Sequence, residues 1–374
     1  MVKAISPEGR FCFFGYYDKC GWDESGEYHL FHEVDFQDRP PAAGDRARIC
    51  LLETKTGRVE VLDETPAWNF QQGAMLQWLP DRRIIYNSVR GGDFISVIHD
   101  LKSGRRSELP RPVSAVSRDG RLALSLNYAR LARWRPGYGY EGVADPFEHQ
   151  KWPEADGVYL VDLETGGHRL VISLAGLLEL RPEPETRDSF GWVNHTLFSP
   201  DGRRFIFLNR WKSGPKERHR TRIFTANPDG SGLHDLVETQ LVSHFDWKDG
   251  RELLAWMEYG GKSGFWLIDD RTGHGRFLSE NIQFLDGHCS YSPDRKFILL
   301  DTYPQAGQRS LKLFDTVRDR EITTGEYFSP PEITGPIRCD LHPRWGRPPN
   351  LISFDSAHEG YRRVYAADIG EYLG

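Results

Sequence analysis

The chain of 374 residues is poor in methionine, with three, and in cysteine, with five, and its 48 basic side chains fall short of its 54 acidic ones. Each shortage excludes something. The cysteines (Cys12, Cys20, Cys50, Cys289 and Cys339) are odd in number and no pair is spaced as Cys-x-x-Cys, so reduced thiols fit better than a disulfide framework. A formal net charge of -6 provides no basic footprint for nucleic acid. No window approaches the roughly 20 apolar residues of a membrane-spanning helix. The opening Met1-Val2-Lys3-Ala4-Ile5-Ser6 has neither an apolar h-region nor a small-residue cleavage site. The expectation is a cytoplasmic protein that meets neither membrane nor nucleic acid.

Aromatic residues and turn formers are abundant, with 11 Trp, 15 Tyr, 21 Phe, 37 Gly and 23 Pro. Aromatics suit strands, and Gly and Pro suit the turns between them. A repeat organises both. Ser117-Arg118-Asp119-Gly120, Ser199-Pro200-Asp201-Gly202, Trp247-Lys248-Asp249-Gly250 and Ser292-Pro293-Asp294 each precede an apolar run such as RRFIFL or RKFILLD. Pro presets φ, Asp closes an Asx turn and Gly accepts positive φ, so each marks a hairpin. A second hairpin follows each one, as in GVYLVDLETGGHRLV (157-171) and GFWLIDDRTGHGRFL (264-278). Two hairpins make a four-stranded unit, and the unit recurs seven times. The chain is therefore expected to be all-β, a single-domain seven-bladed β-propeller. Its approximate blades are 22-62, 79-108, 117-171, 199-237, 247-278, 292-323 and 344-373. The last lacks a strand, and the solitary run 9-17 is expected to close the ring there, removing an open edge. The insertion 128-156 is expected to be a surface loop of the kind that often serves function.

Four histidines stand just ahead of the first turn in four consecutive repeats: His195, His244, His288 and His342. In a propeller that position is innermost, so symmetry gathers them at one rim of the central channel. A hydrophobic core has no repeated need for imidazole. Converging imidazoles can hold a divalent ion or move protons. Nearby polar candidates are Tyr16, Tyr17 and Asp18, then Asn69, Gln71 and Gln72, and finally Arg338, Cys339 and Asp340. Arg210 and Arg222 add fixed positive charge in the fourth repeat.

The ordered stretches NHTLFSPDG, RIFTANPDG, SHFDW, DGHCSYSPD, DLHPRW and LISFDSAHEGYRRVY resemble the oligogalacturonate lyases and, in architecture and site, the ulvan lyases. The likeness is good over about residues 190-370 and weak before them. It implies β-elimination at a uronic acid in an acidic oligo- or polysaccharide, with a divalent metal (Mn or Zn) and no organic cofactor. By motif it implies His288 and His342 as metal ligands, with Cys339 where the family has a glutamine. His195, His244, Arg210 and Arg222 become the candidates for catalysis. Tyr17, Gln72, Arg338 and Arg344 become the candidates for substrate binding. Arg344 departs from the family, since it stands where a further histidine ligand is usual. Two other readings fit the same scaffold: a glycoside hydrolase, and a non-catalytic propeller that binds a glycan or a protein.

Overall fold

The computed structural model describes residues 2-374 except Glu238, Gln240, Phe284 and Leu285. Its strands form seven antiparallel sheets of four strands each, the blades of a seven-bladed β-propeller. Among the described residues no helix is long and apolar enough to cross a membrane.

The polar turns fold alike because their side chains are wired alike. In three blades a Ser hydroxyl donates to the Asp two residues on: Ser117 to Asp119, Ser199 to Asp201 and Ser292 to Asp294, at 2.6-2.7 Å. Gly120 and Gly202 then take left-handed backbone, which glycine adopts without a Cβ clash. In blade six Arg295 occupies that position at φ 64, a conformation costing roughly 1-2 kcal/mol for a side-chain-bearing residue.

Blade boundaries taken from the turns need one correction. Each blade opens with an inner strand ahead of its turn, and in the first six blades that strand starts before the expected bound. Those strands are Phe11–Phe13, Gln77–Leu79, Ala115–Val116, Phe190–Phe198, Val242–Trp247, Cys289–Tyr291 and Arg344–Trp345. The N-terminal strand does close the ring, but it is Val2–Ala4, paired antiparallel with Arg363–Asp368 in blade seven. The run 9-17 instead supplies Phe11–Phe13, which pairs with Tyr28–Val34 in blade one. Packing decides between them: Phe13 and Phe14 belong to a buried cluster with Leu30, Trp68 and Phe70 of the first two blades.

The insertion 128-156 is also more than a surface loop. It opens with a helix, Tyr128–Trp134, capped by the Asn127 side chain, which accepts from the Arg130 amide. Arg130 is almost wholly buried and donates to the carbonyls of Phe147, Gln150, Lys151 and Gly191. A single guanidinium thus ties the insertion to blade four and sets Arg135 and Tyr138 at the channel rim.

Blades one and seven are locked by a buried ion pair. Arg344 meets Asp355 at 2.9 Å and donates to the Gly15 carbonyl at 2.9 Å, while Asp355 accepts from the amides of Phe14 and Gly15. Removing one partner strands the other charge without water. Arg344→Met should therefore lower unfolding free energy by about 3-5 kcal/mol, measured by urea denaturation, and a loss below about 1 kcal/mol would contradict this lock.

His32 sits between blades one and two. Its Nδ1 faces the Phe14 carbonyl at 2.9 Å and its Nε2 accepts from the Ala74 amide at 3.0 Å, so the neutral ring with its proton on Nδ1 satisfies both. Burial pushes its pKa down from 6.5 to about 4. The unfolded chain therefore binds more protons than the folded one between those values. Stability should fall as pH drops from 6.5 towards 4, with His32 contributing up to about 1.4 kcal/mol per pH unit. Urea midpoints across that window check this, and a slope unchanged in His32→Gln would show that His32 is not the source.

Candidate functional site

Inner strands carry His195 and His244 to one rim, the segments leading into inner strands carry His288 and His342 there, and the backbone bends to do it. His195 lies where the register of Phe190–Phe198 shifts between Asn194 and Leu197. His244 lies at the matching shift between Val242 and Phe245. A bulge re-aims a side chain that regular alternation would point elsewhere. His195 and His342 also take positive φ, 54 and 41, a strain that persists only where surrounding structure holds it. The rings of His244 and His288 lie 4.1 Å apart and those of His288 and His342 4.2 Å apart. His195 joins them through Tyr16, which stacks on it at 4.9 Å and meets the His342 ring at 4.9 Å.

Carboxylates set the orientation of these rings. Asp301 accepts from the His288 and His342 amides and lies 2.9 Å from His288 Nδ1. With its Nδ1 proton given to Asp301, His288 turns a lone pair on Nε2 inward, and that buried atom has no hydrogen-bond partner. His342 Nε2 is likewise buried and unpartnered, 3.9 Å from an Asp340 oxygen. His288, Asp340 and His342 thus bring three donor atoms within 4.8 Å of one another. Burial works against the charge on Asp340, but Arg338 and Arg309 overcome it and hold the carboxyl well below the usual range. His244 has its own carboxylate, with Nδ1 3.0 Å from Asp286.

Beside this group a cleft of about 1240 Å³ opens between blades four and five. Arg135, Arg181, Arg210, Arg218, His219 and Arg220 line it, against the acids Glu183, Glu258 and Asp286. Arg210 is the innermost cation. Its Nε donates to Thr221, its Nη1 is buried without a partner, and burial, then Arg135, push its pKa down to about 10. Arg135 too has a buried Nε without a partner. Among the described residues no carboxylate stands within ion-pair distance of either guanidinium. The chain leaves two cations waiting for an anion. Burial pushes the neighbouring His219 down to about 2, with Arg210 and Arg135 adding to the shift, so that ring is neutral.

The sequence-derived candidates divide cleanly. His195, His244, His288, His342, Arg210 and Gln72 share the rim, with the Gln72 amide 3.4 Å from His195 Nδ1. Gln72 reaches it on a tight loop in which Asn69 accepts the Gln71 and Gln72 amides, and a Cβ on Gly73 would collide with His32. Arg338 is near but engaged, donating to Asp340 and to the Tyr138 hydroxyl, both at 2.6 Å. Tyr17 also lies at the rim, its ring 5.1 Å from His288 and 5.9 Å from His244, while Arg222, Arg344 and Cys339 are placed otherwise. Tyr17 exchanges both its hydrogen bonds with the Phe245 backbone. Arg222 is buried against Glu183 at 2.6 Å and over the Trp211 ring, outside the cleft lining. Arg344 belongs to the lock with Asp355 rather than to a substrate surface. Cys339 packs with Ile333 and Ala357, and its neighbour Asp340 takes the place beside the histidines.

Arg135, Asp286, Asp301 and Asp340 have larger parts in this site than their sequence context suggests. Of these, the sequence marks Asp340 as a polar candidate beside the histidines. Arg135 lies in an insertion without a counterpart in other blades, so symmetry carries no signal for it.

No family model matches the chain, and no curated protein matches it by sequence. Solved structures do match. An oligogalacturonate lyase in complex with manganese aligns over 100% of this chain and 94% of its own, with a TM-score of 0.73 and 17% identity. An oligogalacturonate lyase from Vibrio parahaemolyticus aligns over the same shares, 100% and 94%, with a TM-score of 0.70 and 15% identity. A puromycin hydrolase mutant gives 0.58 at 15% identity, with 98% of this chain on 53% of that one. Over its whole length the chain thus has the propeller fold found in oligogalacturonate lyases.

Proposed function

We propose that the protein is a polysaccharide or oligosaccharide lyase that cleaves a uronic-acid-containing glycan by β-elimination. The observation that carries this reading is the pair Arg210 and Arg135, two guanidiniums without carboxylate partners in a cleft that adjoins the histidine group. The C5 proton of a uronate is hard to remove because the adjacent carboxylate resists further negative charge. Arg210 and Arg135 bind that carboxylate and offset the charge as it develops, where exclusion of water strengthens the effect.

Proton transfer follows from the ring orientations. Asp286 accepts a hydrogen bond from His244 Nδ1–H, which leaves Nε2 as the acceptor for the C5 proton. The C5–H electron pair becomes the new C4=C5 bond as the bond from C4 to the glycosidic oxygen breaks. Burial, with smaller contributions from Tyr138 and Tyr17, pushes the Tyr16 phenol well above its usual range, so it keeps its proton until the departing oxygen needs it. His195, 3.4 Å from the Tyr16 hydroxyl, positions that phenol. One proton leaves C5 and one reaches the leaving oxygen, and transfer between His244 and Tyr16 through solvent restores the protein.

The unpartnered Nε2 atoms of His288 and His342 fit a divalent metal ion. Bound there, it would add positive charge for polarising the substrate carboxylate. With imidazole and carboxylate donors and no thiolate among them, the set fits manganese or zinc without the Cys339 thiolate.

Incubation with a panel of uronate oligosaccharides, with and without chelator, should raise the ultraviolet absorbance of the unsaturated product. No gain on any acidic glycan, with intact metal content, would sink the lyase reading. Arg210→Ala should lower kcat/KM by about 10²–10³-fold. His195→Ala and His244→Ala should remove activity while leaving metal content unchanged, and a wild-type rate in either overturns its assignment.

A further inference from the structure

We propose that Asp340 is the third protein ligand of the ion held by His288 and His342, and that the ion and Arg338 compete for the same Asp340 oxygen. The inference rests on the reading of the two histidines as metal ligands and concerns how the chain regulates that site. His342 Nε2 approaches Asp340 through Oδ2, at 3.9 Å. Arg338 Nε donates to that same Oδ2 at 2.6 Å. Arg309 holds the opposite oxygen, Oδ1, at 2.7 Å, and both Arg309 and Asp340 are buried.

The two oxygens of Asp340 therefore differ in use. Oδ1 is paired with the Arg309 guanidinium, and Oδ2 is the oxygen that approaches the unpartnered His342 Nε2. A divalent cation drawn to Oδ2 meets the positive charge of Arg338 at short range in a buried setting, where screening is weak. Binding of the ion and closure of the Arg338–Asp340 pair oppose each other, and by linkage each weakens the other equally.

Arg338 has a second partner to keep it in place. Its Nη2 donates to the Tyr138 hydroxyl at 2.6 Å, and Tyr138 packs edge-on against both Tyr16 and His195. Loading the ion thus frees a guanidinium that stays beside the proton-transfer pair. There it becomes an additional cation for an acidic glycan, and the ion prepares the rim for its substrate.

Calorimetric titration of the full chain with Mn²⁺ alone, after dialysis against chelator, tests this. Thermal melting confirms that each variant is folded. The wild type should bind one ion, Asp340→Asn should lose most of that affinity, and Arg338→Gln should bind about tenfold more tightly, within the usual range of coupling between sites. Weaker binding in Arg338→Gln would show that Arg338 orients Asp340 for the ion and would overturn the competition. Unchanged affinity in a folded Asp340→Asn would overturn the ligand assignment. Absence of Mn²⁺ binding in both wild type and Arg338→Gln would overturn the site as a whole. Because no glycan is present, each of these results is distinguishable from failure of the elimination reading, which is judged by product absorbance.

Discussion

One buried carboxylate holds the rim together. Asp301 closes the second strand of blade six, yet it accepts from the backbone of His342 in blade seven as well as from His288 in its own blade. It fixes the path of the chain across the blade boundary and, through His288 Nδ1, which nitrogen of that ring turns inward. Without that hydrogen bond the lone pair of His288 would not be fixed on the inward Nε2. Propeller symmetry supplies the positions of the imidazoles. Asp301 supplies their direction.

The electrostatics of the interior divide the cations into two kinds. Arg130, Arg222, Arg309 and Arg344 are buried with carboxylate partners, as folded proteins require of desolvated charge. They tie blades and insertions to one another. Arg210 is buried to the same degree without such a partner, and Arg135 beside it adds like charge. That arrangement costs stability unless an anion completes it, and Arg210 opens on a cleft, whereas Arg362, also buried without an ion pair among the described residues, donates to the Ile337 carbonyl and lies over the Phe70 ring. A net charge of -6 is no obstacle, since the cleft concentrates cations locally.

How much of this was legible in the sequence depended on symmetry. Seven recurrent turns revealed the propeller, and in three of them a Ser-x-Asp unit uses the same hydrogen bond whatever its neighbours. Four histidines in register revealed the rim for the same reason. Features that occur once were harder to see. Val2–Ala4 is a short strand with little pattern, while Phe11–Phe13 is more strongly apolar, so the wrong segment was expected to close the ring. Cys339 and Asp340 lie between elements, where no period says which side chain faces the centre. Arg344 looked like a free cation because its partner, Asp355, is reached only when the chain folds back on itself. Arg135 is carried by a helix whose placement depends on the burial of Arg130.

The uronate reading turns on Arg210, a buried cation in the cleft that has no carboxylate partner among the described residues. A crystal structure of His244→Ala bound to an uncleaved uronate oligosaccharide measures this most directly. The account predicts the carboxylate of one sugar within hydrogen-bond distance of Arg210, with its C5 turned towards the space vacated at position 244. A glycan bound with that carboxylate away from Arg210 would contradict it.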